Sequence, residues 1–118
     1  MLYSFEKLMA WQESRSLVKN IYILLKKFPK YEQFALCDQI RRASVSVPSN
    51  IAEGNTKNSS KERIHFIEIA YGSLMEVYCQ LILSKDLDYI NDDDLELIKI
   101  QVDKVSKLLS GLKMSLEK

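Results

Sequence analysis

Polar side chains with fixed hydrogen-bonding geometry recur along residues 39–54, and they are the part of the sequence best suited to chemistry. Steps of three and four residues place on one helical face Gln39, Arg42, Ser46, Asn50 and Glu53. A solvated helix face usually carries flexible Lys and Glu, whereas this face carries amides, a hydroxyl and a fork-shaped guanidinium. The pattern indicates that this face has a dedicated role in structure or in binding.

Two interpretations of this polar face remain open from the sequence. In the first, Arg42 is paired with a carboxylate, because an unpaired buried charge is costly. The predicted structural network then consists of Gln39, Arg42, Ser46, Asn50, Glu53 and Glu76. In the second, Arg42, Glu53 and Glu76 form an acid–base constellation. The first is favoured because the rest of the chain offers little catalytic chemistry.

The sequence contains few groups that could act in catalysis. His65 is the only histidine, which excludes paired-histidine catalysis and His-rich metal sites. Glu62 precedes it by three residues, but one Glu-x-x-His motif does not complete a diiron site. The three glycines are isolated, so there is no phosphate-binding loop, and the acidic run at residues 92–94 lacks EF-hand spacing. We therefore predict no catalytic residue, no metal site, no cofactor and no enzymatic activity.

Arg41, Arg42 and Lys57 are the candidate contacts to nucleic acid, because cationic side chains bind phosphates independently of sequence. The formal net charge of +1 argues against a generic nucleic-acid binder, and no RNA-binding signature is present. The charge is unevenly divided, since residues 1–63 hold 11 Lys/Arg and 6 Asp/Glu, whereas residues 64–118 hold 6 and 10. Such halves could attract each other within the fold or between subunits. Repetition around an oligomer would strengthen a weak phosphate contact.

Four long amphipathic helices are predicted to position these residues. Caps and helix breakers set their ranges at residues 5–27, about 30–54, 59–85 and from 91 onward. Ser4, Ser59 and Asn91 are the expected N-caps, and Pro48 is expected to bend or locally open the second helix. With short connections and no β pattern, residues 1–118 are predicted to form one all-α domain. Its predicted architecture is an antiparallel up-down-up-down four-helix bundle.

The third predicted helix is apolar over much of its circumference, and such a helix is normally buried on more than one side. Its small residues Ala70, Gly72 and Ser73 would let a neighbouring helix approach closely. Cys37 and Cys79 fall at helical apolar positions, so buried and reduced thiols are expected. The N-terminus has no signal-peptide pattern, and no uncharged apolar stretch approaches about 20 residues. We therefore expect a cytoplasmic protein without a membrane span.

A longer motif pattern covers nearly the whole chain. It comprises Phe5, Leu8, Trp11-Gln12, Phe28-Pro29, Glu32, Leu36, residues 39–43, residues 46–54, Phe66, Ala70, Gly72-Ser73 and Glu76. In this pattern the sequence resembles the four-helix-bundle proteins encoded in intervening sequences of bacterial large-subunit (23S) ribosomal RNA genes. The chain departs from the family at residues 55–58, where Lys57 stands in a position at which arginine is common.

The resemblance implies an antiparallel four-helix bundle that assembles into pentameric rings. A related branch, the accessory proteins of diversity-generating retroelements, is similar in fold and associates with nucleic acid and a reverse transcriptase. We therefore expect a non-enzymatic homo-oligomer, a pentamer by resemblance, with RNA or a nucleic-acid-processing protein as a further partner and no small-molecule substrate. The alternative is a purely structural assembly protein with no nucleic-acid ligand.

Overall fold

The computed structural model describes residues 1–118 as four α-helices and two short 3-10 helices. The α-helices are α1 (Met9–Leu25), α2 (Leu36–Gly54), α3 (Ser60–Asp86) and α4 (Asp92–Leu116), and the 3-10 helices are Ser4–Lys7 and Lys30–Glu32. Each α-helix packs against the next along the chain, and α1 closes the arrangement against α4. The predicted all-α four-helix bundle is confirmed, and the short connections between packed neighbours fit the up-down-up-down order.

Apolar side chains from all four helices fill the core. The central ones are no more than 1% exposed: Leu17, Ile21, Ile40, Val47, Leu74, Leu81, Val105 and Leu109. Three buried serines lie among them, and each hydroxyl donates a hydrogen bond to a backbone carbonyl about one turn earlier, at 2.9 Å for Ser14 and Ser44 and 2.7 Å for Ser84. Because these hydroxyls are satisfied within their own helices, they add no reactive group to the interior.

The N-terminal cap was predicted wrongly. The Glu6 carboxylate accepts a hydrogen bond from the Tyr3 N–H at 2.8 Å, which closes a 3-10 turn, and Leu8 is extended before α1 begins at Met9. Ser4 therefore caps no helix. Its hydroxyl instead accepts a hydrogen bond from the side-chain amide of Asn55 at 2.8 Å, which ties the N-terminus to the α2–α3 connection.

The second helix is continuous through Pro48, so of the two effects expected there the local opening is not present, and the bend stays a prediction. It ends at Gly54 as predicted, and the close packing of α3 explains why a glycine stands there. A Cβ atom at Gly54 would lie 2.6 Å from the Cβ atom of Phe66 on α3. This distance is far shorter than van der Waals contact, so only glycine lets the two helices approach this closely.

The caps predicted for α3 and α4 are confirmed. The Ser59 hydroxyl accepts a hydrogen bond from the backbone N–H of Glu62 at 3.1 Å. At the start of α4, the Asn91 side chain accepts from the Asp94 N–H at 2.8 Å, and the Asp94 carboxylate accepts from the Asn91 N–H at 3.1 Å. Each cap satisfies a backbone donor that the helix itself leaves free.

One side of α3 remains uncovered within the single chain. Its inner side packs in the core, but several apolar or small residues lie on the side away from it, and we call them the α3 outer face: Ile69, Tyr71, Gly72, Cys79, Ile82 and Leu83. Burial on more than one side, predicted from the sequence, is therefore not achieved by one chain. By length and composition α3 could also cross a membrane, although its inner side is a core surface of this bundle.

The two cysteines differ in burial. Cys37 is fully buried in the core, as predicted, whereas Cys79 is exposed on the α3 outer face, so the prediction of a buried thiol is wrong there. Cys79 follows Met75 and precedes Ile82 on an apolar helix side, and periodicity alone does not distinguish a side that faces the core from one that faces solvent.

Candidate functional site: the polar side of α2

Arg41 is bonded inward, to the connection between α1 and α2. Its guanidinium donates to the Gln33 carbonyl oxygen at 2.9 Å, to the Gln33 side-chain oxygen at 2.7 Å and to the Asp38 carboxylate at 2.9 Å. The ring of Tyr22 on α1 lies 6.0 Å from the guanidinium carbon. With three of its five N–H donors bonded within the chain and its side chain 27% exposed, Arg41 is a structural residue rather than a free phosphate contact.

Gln33 connects Arg41 to the C-terminal end of α1. Its side-chain amide donates to the carbonyl oxygens of Leu25 at 3.0 Å and Phe28 at 3.3 Å. The Leu25 carbonyl already accepts from the Phe28 N–H at 3.1 Å, so the amide adds a second hydrogen bond there. The Phe28 carbonyl has no backbone donor, and the amide satisfies it. We call this pair the Gln33–Arg41 clamp, because it holds the C-terminus of α1 against the first turns of α2.

Arg42 has the opposite environment. It is exposed, and its side chain makes no hydrogen bond and no ion pair within the chain. It lines a groove between α2 and α3, the α2/α3 groove, whose walls are formed by Gln39, Arg42, Ala43, Ser46, Ser73 and Glu76. The groove is thus polar along both walls and contains one cationic and one anionic side chain.

Hydrogen bonds in and beside the α2/α3 groove form two separate clusters. In one, the hydroxyls of Ser46 and Ser73 are 2.8 Å apart, and the Asn50 amide donates to the Ser46 carbonyl and hydroxyl oxygens at 2.8 and 2.9 Å. In the other, the amide of Gln80 donates to the Glu76 carboxylate at 3.3 Å and approaches the Gln39 side-chain oxygen at 3.5 Å. The first cluster bonds α3 to α2, whereas in the second only the 3.5 Å approach of Gln80 to Gln39 crosses between the two helices.

The predicted network is therefore corrected in two respects. Arg42 and Glu53 belong to neither cluster, because both side chains are exposed and make no hydrogen bond, although Arg42 lines the groove. Gln80 was missed, although it is buried at 8% exposure and bonded to Glu76 one helical turn earlier. Its position four residues after Glu76 on an otherwise apolar helix side was a usable signal. The side-chain oxygen of Gln80 is buried without a hydrogen-bond partner.

Lys57 lies beyond the C-terminal end of α2, far along the chain from the arginine pair. Its ammonium group is 5.2 Å from the centroid of the Phe66 ring, a cation–π distance. Its backbone carbonyl accepts a hydrogen bond from Arg63 Nε at 2.7 Å, which closes the α2–α3 connection. The three predicted nucleic-acid contacts are thus not gathered into one patch, and Arg42 alone is exposed and unpaired.

The remaining reactive groups do not form a catalytic arrangement. No group of three His, Cys, Asp or Glu side chains comes together in a way that could hold a metal ion. His65 is exposed on α3 beside the ring of Phe66, with 5.6 Å between ring centroids. Burial raises the pKa of the Cys37 thiol, an effect that the nearby Arg41 charge only partly offsets, so the thiol stays protonated.

Comparisons with known proteins support the fold and the family. A protein of unknown function from the S23 ribosomal protein family of Bacteroides thetaiotaomicron has a similar structure, with a TM-score of 0.81 and 24% sequence identity. The match covers 89% of this chain and 98% of that one. A comparison with curated protein sequences gives no significant match.

The family itself is identified from sequence. The profile described as 23S rRNA-intervening sequence protein matches residues 6–111, which include all of α1, α2 and α3 and most of α4. The match spans the Gln33–Arg41 clamp and the whole α2/α3 groove. The chain therefore belongs to the family of 23S rRNA-intervening sequence proteins.

Proposed function

We propose that the protein is a non-enzymatic building block that assembles with copies of itself through the α3 outer face, in the cytoplasm. The number of copies expected from the family resemblance is five. The observation that carries the proposal is the exposure of apolar side chains on a helix whose other side is buried in the core. Ile69 is 38% exposed, Tyr71 42%, Ile82 38% and Leu83 49%. Several exposed apolar side chains on one side of a helix, with polar Glu68 and Glu76 among them, are typical of an interaction site.

Gly72 supports the same surface by a separate argument. A glycine inside a helix costs about 1 kcal/mol relative to alanine. A Cβ atom at Gly72 would meet nothing within 4 Å, so packing within the chain does not require a glycine. Close approach by a helix from another copy would account for a glycine at position 72. Gly54 is an example within this chain of a glycine at a point where two helices meet closely.

Substitution of Leu83 by lysine tests the proposal. Because the side chain is already 49% exposed, we expect Leu83→Lys to fold normally by circular dichroism but to lose assembly. Met114→Lys is the matched control, since Met114 is 67% exposed on α4 and outside the α3 outer face. Light scattering should give the same oligomer mass for the wild type and the control, and a clearly smaller mass for Leu83→Lys. An unchanged mass for Leu83→Lys would reject this surface.

Contact with RNA, or with a nucleic-acid-processing partner, is the second candidate function, and the exposed, unpaired guanidinium of Arg42 favours it. One arginine binds phosphate weakly, but a ring of copies would repeat it. In a salt titration with structured RNA, we expect affinity to fall steeply with salt and less steeply for Arg42→Ala. Lys99→Ala on α4 is the control. Absence of binding at low salt would reject contact with RNA and favour the alternative, an assembly protein without a nucleic-acid ligand.

A further inference from the structure

Two opposite charges on the outer side of α2 have no partner within the chain. Arg42 and Glu53 are both exposed, and the side chain of neither makes a hydrogen bond or an ion pair. They are 11 residues apart, which is about three turns or roughly 16 Å of helix, so they lie on the same side of α2. Between them the outer side carries only short side chains, among them Val45, Ser49 and Ala52.

The order of charges along this side is self-complementary. The base Arg42 lies toward the N-terminal end of α2, and the acid Glu53 lies toward its C-terminal end. A second copy of the helix in the opposite direction presents Glu53 against Arg42 and Arg42 against Glu53. Asp38 is already paired with Arg41, and Lys57 lies beyond the end of α2, so neither adds to this pattern. In a parallel pair the same residues would face like charges, which is destabilising.

We propose that α2 of one copy pairs antiparallel with α2 of a second copy across a two-fold axis, with Arg42 of each copy facing Glu53 of the other. The axis passes between Val47 and Pro48, so the short side chains Ser46 and Ser49 lie opposite each other at the centre. A two-fold contact uses the same surface on both copies and therefore forms every charge pair twice. This contact is separate from the α3 outer face and goes beyond the proposed function, so either can fail without the other.

A second copy suits this surface better than a nucleic acid does. Asp38 lies one turn before Arg42 on the same helix, and Glu76 lines the same groove from α3. These two carboxylates repel phosphates near Arg42, whereas Glu53, about 16 Å along the helix, is the acid that Arg42 of a second copy would face. Exposed ion pairs are individually weak, so the charges set direction and register while the close approach of short side chains supplies the packing.

Charge reversal tests the pairing without disturbing the core, because both residues are exposed. The experiment uses the full chain carrying Leu83→Lys, which removes the proposed α3 contact, and measures dimerisation by sedimentation over a range of concentrations. We expect a concentration-dependent dimer whose dissociation constant rises roughly tenfold or more with either Arg42→Glu or Glu53→Arg. The doubly reversed chain, Arg42→Glu with Glu53→Arg, should dimerise again.

Mixing the Arg42→Glu variant with the Glu53→Arg variant is the most specific test of the pairing. One copy is then acidic at both positions and the other is basic at both, so an equimolar mixture should form a heterodimer with a dissociation constant at least about tenfold lower than that of either variant alone. A monomer at every concentration, a reversal without effect, or a mixture that does not recover would overturn the pairing. Loss of RNA binding in the doubly reversed chain, with no dimer in any sample, would assign Arg42 to RNA instead. The mass of the wild type against Leu83→Lys is measured alongside and decides the α3 contact independently.

Discussion

Arg41 and Arg42 are adjacent residues of the same type on one helix, and the structure gives them opposite environments. Arg41 donates three hydrogen bonds of 2.7 to 2.9 Å and fixes the α1–α2 connection. Arg42 makes none and lies exposed at the α2/α3 groove. One step along a helix turns a side chain by about 100°, so neighbours in sequence point to different surroundings. A pair of basic residues in a helix is therefore not by itself an anion-binding site.

We also expect the two arginines to affect different properties, Arg41 the stability of each chain and Arg42 its binding. The acceptors of Arg41 are two oxygens of Gln33 and one carboxylate, all in its own chain. Arg42 has no acceptor in its own chain, and the acceptors that we propose for it belong to other molecules, either a second copy or a phosphate. Changes at Arg41 should therefore alter the unfolding of each chain, whereas changes at Arg42 should alter only what the folded chain binds.

The largest expected effect on the free energy of unfolding comes from removing the Arg41 side chain. Arg41→Ala leaves the Gln33 carbonyl and side-chain oxygens without their donor, and we expect the free energy of unfolding to fall by about 2 kcal/mol. Arg42→Ala is the matched control and should change it by less than about 0.5 kcal/mol. Urea unfolding followed by circular dichroism, with both variants in the Leu83→Lys background, compares the two. Equal losses would contradict the contrast.

The next effect concerns the coupling between Arg41 and Gln33. Gln33→Ala removes both the acceptor of Arg41 and the donor to the C-terminal carbonyls of α1, so it should be destabilising alone. In a double-mutant cycle with Arg41→Ala, the two losses should overlap by about 1 kcal/mol. The same cycle between Gln33 and Arg42 should give a coupling near zero. Additive losses for Gln33 and Arg41 would show that they do not act as one clamp.

The smallest effect is a pH-dependent one between α1 and α4. The hydrogen bond from the Lys27 ammonium, 2.8 Å long, holds the pKa of Asp94 below its ordinary value of 3.8; burial opposes this, and the Asn91 N–H adds to it. A carboxyl whose pKa is lowered by folding stabilises the folded state above its unfolded pKa, and the stability is lost as pH falls through the folded value.

Asp94→Asn should therefore lower the free energy of unfolding by less than about 1 kcal/mol at pH 7, because Lys27 is 55% exposed and the pair is screened. The difference from the wild type should shrink as the pH falls below about 4, since protonation removes the same charge. Urea unfolding at several pH values measures this. A difference that stays constant down to pH 2 would show that Asp94 acts only through its capping hydrogen bond to Asn91.

The helices could be predicted from sequence because local signals agree with the tertiary structure. Ser59 and Asn91 each precede a donor that they cap, and the apolar steps of α4 from Leu95 to Leu116 match one buried side. The predicted start of α1 was wrong because two local hydrogen-bonding arrangements compete at the N-terminus. Ser4 looks like a cap, but Glu6 reaches back to Tyr3 and closes a 3-10 turn instead.

The candidate site was harder to predict because its hydrogen bonds cross between elements. The stripe on α2 identified Ser46 and Asn50, but Ser73 and Gln80 are contributed by α3 and depend on how the two helices are aligned. The acceptor of Arg41 is Gln33, eight residues earlier in an irregular connection, where no periodicity points to it. The second apolar side of α3 could be recognised from composition, but which side faces the core could not.

The mass of the wild-type protein in solution tests the central claim most directly. Light scattering tied to an absolute mass, at micromolar concentration, should give a whole-number multiple of the 13.7 kDa chain, because the apolar residues of the α3 outer face require cover. The expectation from the family is five copies, or twice that number if α2 also pairs across its two-fold axis. A stable species of 13.7 kDa at these concentrations would contradict assembly as the function of this bundle.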